Sequence, residues 1–303
     1  MCTYNDMWWL YDVTAVVVLL VCVYFSGRHG VFKGGICAVC CVVGLVAGLT
    51  VSSSVADSLY KTTVRDGTVN KLDKTIVEYD ISADLVTGLE TMGYSVVVRK
   101  EKIDDILLSE KNEDTDVQIY KYMNNINGKK IDDEENFYKN LRKCYASVLT
   151  KLIKDDVSLY ATATAEQRII DGKADFGNLA RTIRNSDTRT DASRIIADDF
   201  IADAYKNVIR LVFIAVFVTV LFVVGILTGR AMAGNRSPMD ESNVSHITGG
   251  LCGLITGVAM VCVVSALFGL YAITGNNSEV FFENPDIDKS FIFGFAYNLI
   301  MNR

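Results

Sequence analysis

Residues 31–54 read VFKGGICAVCCVVGLVAGLTVSSS, and this stretch decides the fold. Lys33 is its single charge, and nothing from Gly34 to Ser54 is ionisable at neutral pH apart from three cysteine thiols. About 20 apolar residues at roughly 1.5 Å per residue cross the hydrocarbon core of a bilayer. Gly34, Ala38, Cys41, Gly44, Gly48 and Ser52 recur every three or four residues, so one face of such a helix is a row of small side chains. Between helices in lipid there is no hydrophobic drive, and close backbone approach along small faces supplies the attraction instead.

Three more segments satisfy the same criterion: about 7–25, opened by Trp8 and Trp9, about 209–228, and about 247–273. The third closes with Gly225 and Gly229, and the fourth carries Gly249, Gly253 and Gly257, again at four-residue spacing. The fold class is therefore all-α: a polytopic membrane protein with four transmembrane helices in two hairpins and a mainly helical soluble domain inserted between them. The domains are 1–54, 55–207, 208–274 and a tail at 275–303 with a short amphipathic helix. The glycine stripes serve helix packing within the chain or self-association, and lipid is the first partner.

Composition agrees with this segregation. Half of the 303 residues are hydrophobic while 22% are charged, and most of the charge lies in the inserted domain. A net charge of −6 argues against a nucleic-acid partner, which needs clustered Lys and Arg. Six of the eight cysteines (Cys22, Cys37, Cys40, Cys41, Cys252 and Cys262) sit in apolar runs as small packing residues. Cys144 is alone in the inserted domain, so no disulfide forms within it. Two histidines, His29 and His246, are too few for a His-based metal site, and Ser245 beside His246 reads as incidental. No catalytic constellation and no metal- or cofactor-binding motif is recognisable, so no enzymatic activity is expected.

The first span lacks a basic leader and a small-x-small cleavage site, so it reads as a retained helix. Arg28, His29 and Lys33 make the first short loop basic, and the second carries Arg230 and Arg236, partly offset by Asp240 and Glu241. Short basic loops stay cytoplasmic, which puts both termini and the inserted domain on the extracytoplasmic side of a cell membrane. Asp12 is the one acid inside a span and hence a candidate functional residue; a topology or packing role is the alternative.

The first hairpin resembles the CvpA family, the colicin V production proteins. The resemblance rests on the Trp-rich start, Asp12, and the turn Gly30-Val31-Phe32-Lys33-Gly34, similar to the family's Gly-Phe-x-Arg-Gly turn. The run from His246 to Gly257, with its repeated glycines, is similar to the family's fourth span, and 288–301 to its terminal amphipathic segment. Two departures stand out: Thr256 occupies a position where the family often has Arg, and the link between spans two and three carries an insertion of about 150 residues. The resemblance implies a membrane protein tied to toxin production or export and envelope physiology, acting as an accessory or scaffold protein. A transporter or channel component acting as an oligomer, and a sensor with an extracytoplasmic ligand-binding domain, are the alternatives.

Within the insertion the clearest helix covers 134–154, with Phe137, Leu141, Cys144, Tyr145, Val148, Leu152 and Ile153 on one face. Asp132, Asp133, Glu134 and Glu135 crowd its N-terminus, where the helix dipole favours negative charge. A second helix is expected to start at Asp191 as N-cap and continue into span three, and 93–99 has the pattern of a strand. Gly128, Gly172 and 185–187 mark turns. In the tail, Phe291, Ile292, Phe295, Leu299 and Ile300 after Asp288 form a helix lying on the interface or docked on the bundle.

Overall fold

The computed structural model describes residues 8–109, 113–233, 243–274, 287 and 289–301, and these are helical with no strand among them. Asp6, Arg236, Asp240, Glu241 and Asp288 lie outside the described residues. Three helical runs are long and apolar enough to cross a membrane: Trp8–Glu78, Arg189–Met232 and Asn243–Ile273. The chain divides into two compact units, 1–58 with 206–303, and 59–205.

The first unit contains α1 (Trp8–Leu59), which is interrupted at Gly30 by a φ of 77° and ψ of 171°. Only glycine takes such a conformation without strain, so the helix breaks there into 8–29 and 31–59. Helix α10 (Ala202–Ala233), α11 (Asn243–Thr274) and α12 (Ile292–Met301) complete the unit. The contact of α11 with 8–29 is made through small residues: a Cβ placed on Gly253 would lie 2.6 Å from the Cys22 carbonyl oxygen, and one on Gly249 2.8 Å from that of Ser26. No side chain fits in those gaps, so α11 and 8–29 approach backbone to backbone.

The second unit is a globule of short helices: α2 (Arg65–Glu78), α3 (Ile81–Glu90), α4 (Lys100–Leu107), α5 (Thr115–Asn127), α6 (Glu134–Ile153), α7 (Leu159–Ile170), α8 (Phe176–Arg184) and α9 (Arg189–Ile195). Helix α6 is central and packs on α3 and α7; all seven residues of its expected apolar face are buried. Four helices begin with a side-chain cap: Asp80 accepts from Ala83 N (3.2 Å), Asp114 from Asp116 N (3.1 Å), Ser158 from Ala161 N (3.2 Å) and Asp175 from Asn178 N (2.9 Å). Each cap satisfies one backbone donor that the helix itself leaves open and contributes about 0.5–2 kcal/mol.

Two sequence expectations fail here. Residues 93–99 are not a strand: Gly93 and Ser95 take positive φ (88° and 52°). Val98 N–H donates to Glu90 Oε1 and Arg99 N–H to the Tyr122 hydroxyl, so side chains take the donors a ladder would use. Nor is Asp191 an N-cap. Helix α9 starts at Arg189 after Thr188, and Asp191 lies in its first turn.

Where the chain enters and leaves this unit, two π-helical turns, Tyr60–Val64 and Ile196–Ile201, are joined to each other. The Tyr60 hydroxyl donates to the Ala197 carbonyl (2.6 Å), and Arg65 makes a fork of two bonds to Asp198 (2.7 and 2.6 Å). Tyr60 is fully buried, and burial first, then the Asp198 charge, pushes its phenol up to about 12.

Candidate functional site

Three arrangements in the membrane unit bring polar chemistry into an apolar setting. The first is the turn at Gly30. A continuous helix would bond Val31 N–H to the Gly27 carbonyl, and the Gly30 conformation severs that bond. Val31 N–H instead donates to Ser245 Oγ (3.1 Å), while the Gly27 carbonyl lies 2.8 Å from His246 Nδ1. A carbonyl only accepts, so Nδ1 carries the proton. Ser245 and His246 thus take up both halves of one broken backbone bond. Sequence reasoning set this pair aside as incidental; its signal was its place just ahead of the Gly249 row.

The second is Asp12. Its Oδ2 accepts from Phe291 N (2.9 Å) and its Oδ1 from Ile292 N (2.8 Å) and Phe293 N (3.1 Å). The carboxylate therefore caps the N-terminus of α12 from another segment, where orphan donors and the helix dipole both favour an anion. At the other end of the same helix, the Arg210 guanidinium donates to the Ile300 carbonyl. Acid at one end and base at the other complement the whole dipole. Arg210 was missed in the sequence although it is the lone charge in its apolar run. Of the two readings of the tail, this geometry is docking: Phe293, Tyr297 and Ile300 are buried, and Phe293 packs edge-on to Phe268 (5.3 Å) beside Tyr11. Phe291, just ahead of α12, and Phe295 on it point outward at 86% and 74% exposure, which leaves an apolar outer surface there.

The third is a cavity of about 300 Å³ near the Gly30 turn. Lys33, Arg230 and His29 stand on its polar side; Val21, Phe25, Phe222 and Ile226 form its apolar walls. Thr256, the departure from the family pattern, is a buried lining residue and spends its hydroxyl on the Cys252 carbonyl (3.2 Å). Among the described residues, no carboxylate is within ion-pair distance of Lys33 or Arg230.

The remaining glycines singled out in the sequence fall into two rows. Gly257 meets Leu19, continuing the Gly249 and Gly253 row against 8–29, and Gly34 faces the Gly249 carbonyl. Gly44 and Gly48 lie against Val218, while Gly225 and Gly229 lie against Cys37 and Lys33. Both rows are occupied by this chain's own helices.

In the second unit, the acidic run before α6 is engaged locally. Tyr94 donates to Asp132 (2.8 Å), Lys130 pairs with Asp133 (3.2 Å) and Tyr138 donates to Glu134 (3.0 Å). Among the described residues no cluster of three or more His, Cys, Asp or Glu is placed to hold a metal ion. Asp116 differs in direction from the other perturbed carboxylates of this unit. Burial pushes it up, Asp114 and Asp175 add to the rise, and the Tyr145 hydroxyl (2.7 Å) opposes it.

Comparison with models of known protein families, with curated proteins and with solved structures gives no match to this chain.

Proposed function

We propose that this chain is a CvpA-like membrane accessory or scaffold protein without an enzymatic reaction of its own, linked to toxin production or export and to envelope physiology. In this reading it crosses a cell membrane four times in two hairpins. The Gly30 break is the turn of the first hairpin, and the 59–205 unit projects on the extracytoplasmic side to meet partners. The observation that carries it is the pair of glycine rows closed against neighbouring backbones. They favour a static bundle over a gated pore, because packing of that kind leaves little room for helices to slide. The order of the motifs, with the Gly30 turn meeting the start of α11 through Ser245 and His246, adds support.

Val97 is 81% exposed in the 59–205 unit and provides the test. In intact cells, Val97→Cys should react with a membrane-impermeant maleimide well above the parent chain, and a photo-crosslinker at the same position should capture a discrete protein partner. Labelling that requires permeabilised cells inverts the orientation. Labelling from outside with no captured partner removes the scaffold reading while leaving the topology standing.

A further inference from the structure

The cavity beside the Gly30 turn has the make-up of a lipid headgroup site, and its two cations are the starting point. Lys33 and Arg230 come from different helices and converge on one cavity, with no carboxylate in ion-pair reach among the described residues. Two like charges lining one cavity repel each other, and an anion placed between them relieves that repulsion. The cavity is not polar throughout. From His29 to Cys22 along one wall and from Arg230 to Phe222 along another, the lining changes from basic to apolar. Seven or eight residues of helix make that depth about 10–12 Å. A small soluble anion would use the rim and leave the apolar depth empty. A phosphate diester carrying an acyl chain would use both, its phosphate taking the Arg fork and the Lys ammonium and its chain lying on Val21, Phe25, Phe222 and Ile226.

We propose that this cavity binds one anionic glycerophospholipid, its phosphate held by Lys33 and Arg230 and the start of an acyl chain enclosed between the helices. Basic pockets between membrane helices recognise headgroups in this way. The site is separate from any partner contact on the 59–205 unit, so its test is independent of the scaffold reading.

Full-length protein, purified in detergent and stripped of lipid, is titrated with palmitoyl-oleoyl phosphatidylglycerol or with the matching phosphatidylcholine, and bound lipid is counted by native mass spectrometry. One phosphatidylglycerol should be retained with about tenfold preference, equivalent to about 1.4 kcal/mol. The double variant Lys33→Gln/Arg230→Gln should lose that preference. Arg28→Gln should keep it, because Arg28 does not line the cavity. The charge-conserving Lys33→Arg/Arg230→Lys should also keep it, which separates loss of charge from loss of fold. Equal retention of the two lipids, or a preference that survives the Gln variant, overturns the site. Loss in the charge-conserving variant overturns the assignment to charge. Inorganic phosphate forms the last arm: displacement of the lipid by phosphate alone would make the ligand a soluble anion and overturn the lipid reading.

Discussion

The membrane unit and the inserted unit are both helical, yet they are built on opposite materials. In the 59–205 unit the interior is filled by large side chains, with Phe137, Phe176, Phe200, Leu72, Leu85 and Leu89 at most 2% exposed. In the membrane unit many large apolar residues face outward: Leu20 is 62% exposed, Val39 64% and Leu227 59%, while Gly, Ala, Cys and Ser take many of the closest positions between helices, beside a few buried large side chains such as Leu211, Ile214 and Val218. Water drives the first arrangement, since about 25 cal/mol is gained per Å² of apolar surface removed from it. Lipid abolishes that gain, and small faces that admit a neighbouring backbone decide the second. The same word, helix, therefore covers two different kinds of packing in one chain.

The largest expected effect breaks the contrast where it is sharpest. Phe137→Ala should cost about 3–5 kcal/mol of stability in the 59–205 unit, read from denaturant unfolding of the full chain in detergent. Leu20→Ala, a similar deletion on the lipid-facing surface, should cost less than about 1 kcal/mol. Comparable losses would mean that the two units share one packing principle. Next, Gly253→Val forces a side chain into a gap of 2.6 Å and should cost about 1–3 kcal/mol by overpacking. Gly35→Ala, with nothing within 4 Å of its Cβ, should be neutral or better by thermal melting. Asp12→Asn keeps the shape of the α12 cap but removes its charge, and should cost about 0.3–1 kcal/mol. Faster hydrogen exchange over 292–301 than over α11 would report it, and unchanged exchange would remove Asp12 from the capping role.

The smallest effect is confined to the aqueous unit and lies in its pH response. Asp104 is held below the usual carboxylate range, first by the Arg184 guanidinium and then by the Ser82 hydroxyl. Its contribution is present above the unfolded carboxylate value of about 3.9 and is lost as pH falls through the lower folded value. Asp116 has the opposite sign. Its folded value is raised by burial, so the cost of its charge is felt at neutral pH and relieved on acidification. Asp116→Asn, still able to accept from Tyr145, should raise the melting temperature at pH 7 and abolish the gain seen on mild acidification. Asp104→Asn should lower the melting temperature at pH 7. Slopes of the same sign for the two variants would sink the assignment.

The lengths and apolar character of the membrane helices could be read from residues alone because those properties reside in runs of single letters. The face of α6 was legible for a related reason: helical spacing fixes which side chains meet. What escaped the reading depends on partners far away in sequence. Val97 and Val98 alternate as a strand would, but a strand needs a ladder, and Glu90 and Tyr122 claimed its donors first. Ser245 and His246 looked idle because their acceptor and donor exist only once Gly30 breaks the helix. Arg210 stood in plain view as a lone charge in an apolar run, and its target, the Ile300 carbonyl, carries no side-chain signature at all.

The cap that Asp12 places on α12 also sets an order of events during synthesis. Its donors lie 279 to 281 residues further along the chain, and at about 5–20 residues per second a ribosome takes roughly 15–60 s to reach them. Throughout that interval the nascent chain carries a carboxylate whose proper donors have not been made. A chain stalled before residue 291 would keep that charge unanswered, which gives membrane quality control a chemical mark by which an unfinished molecule differs from a finished one.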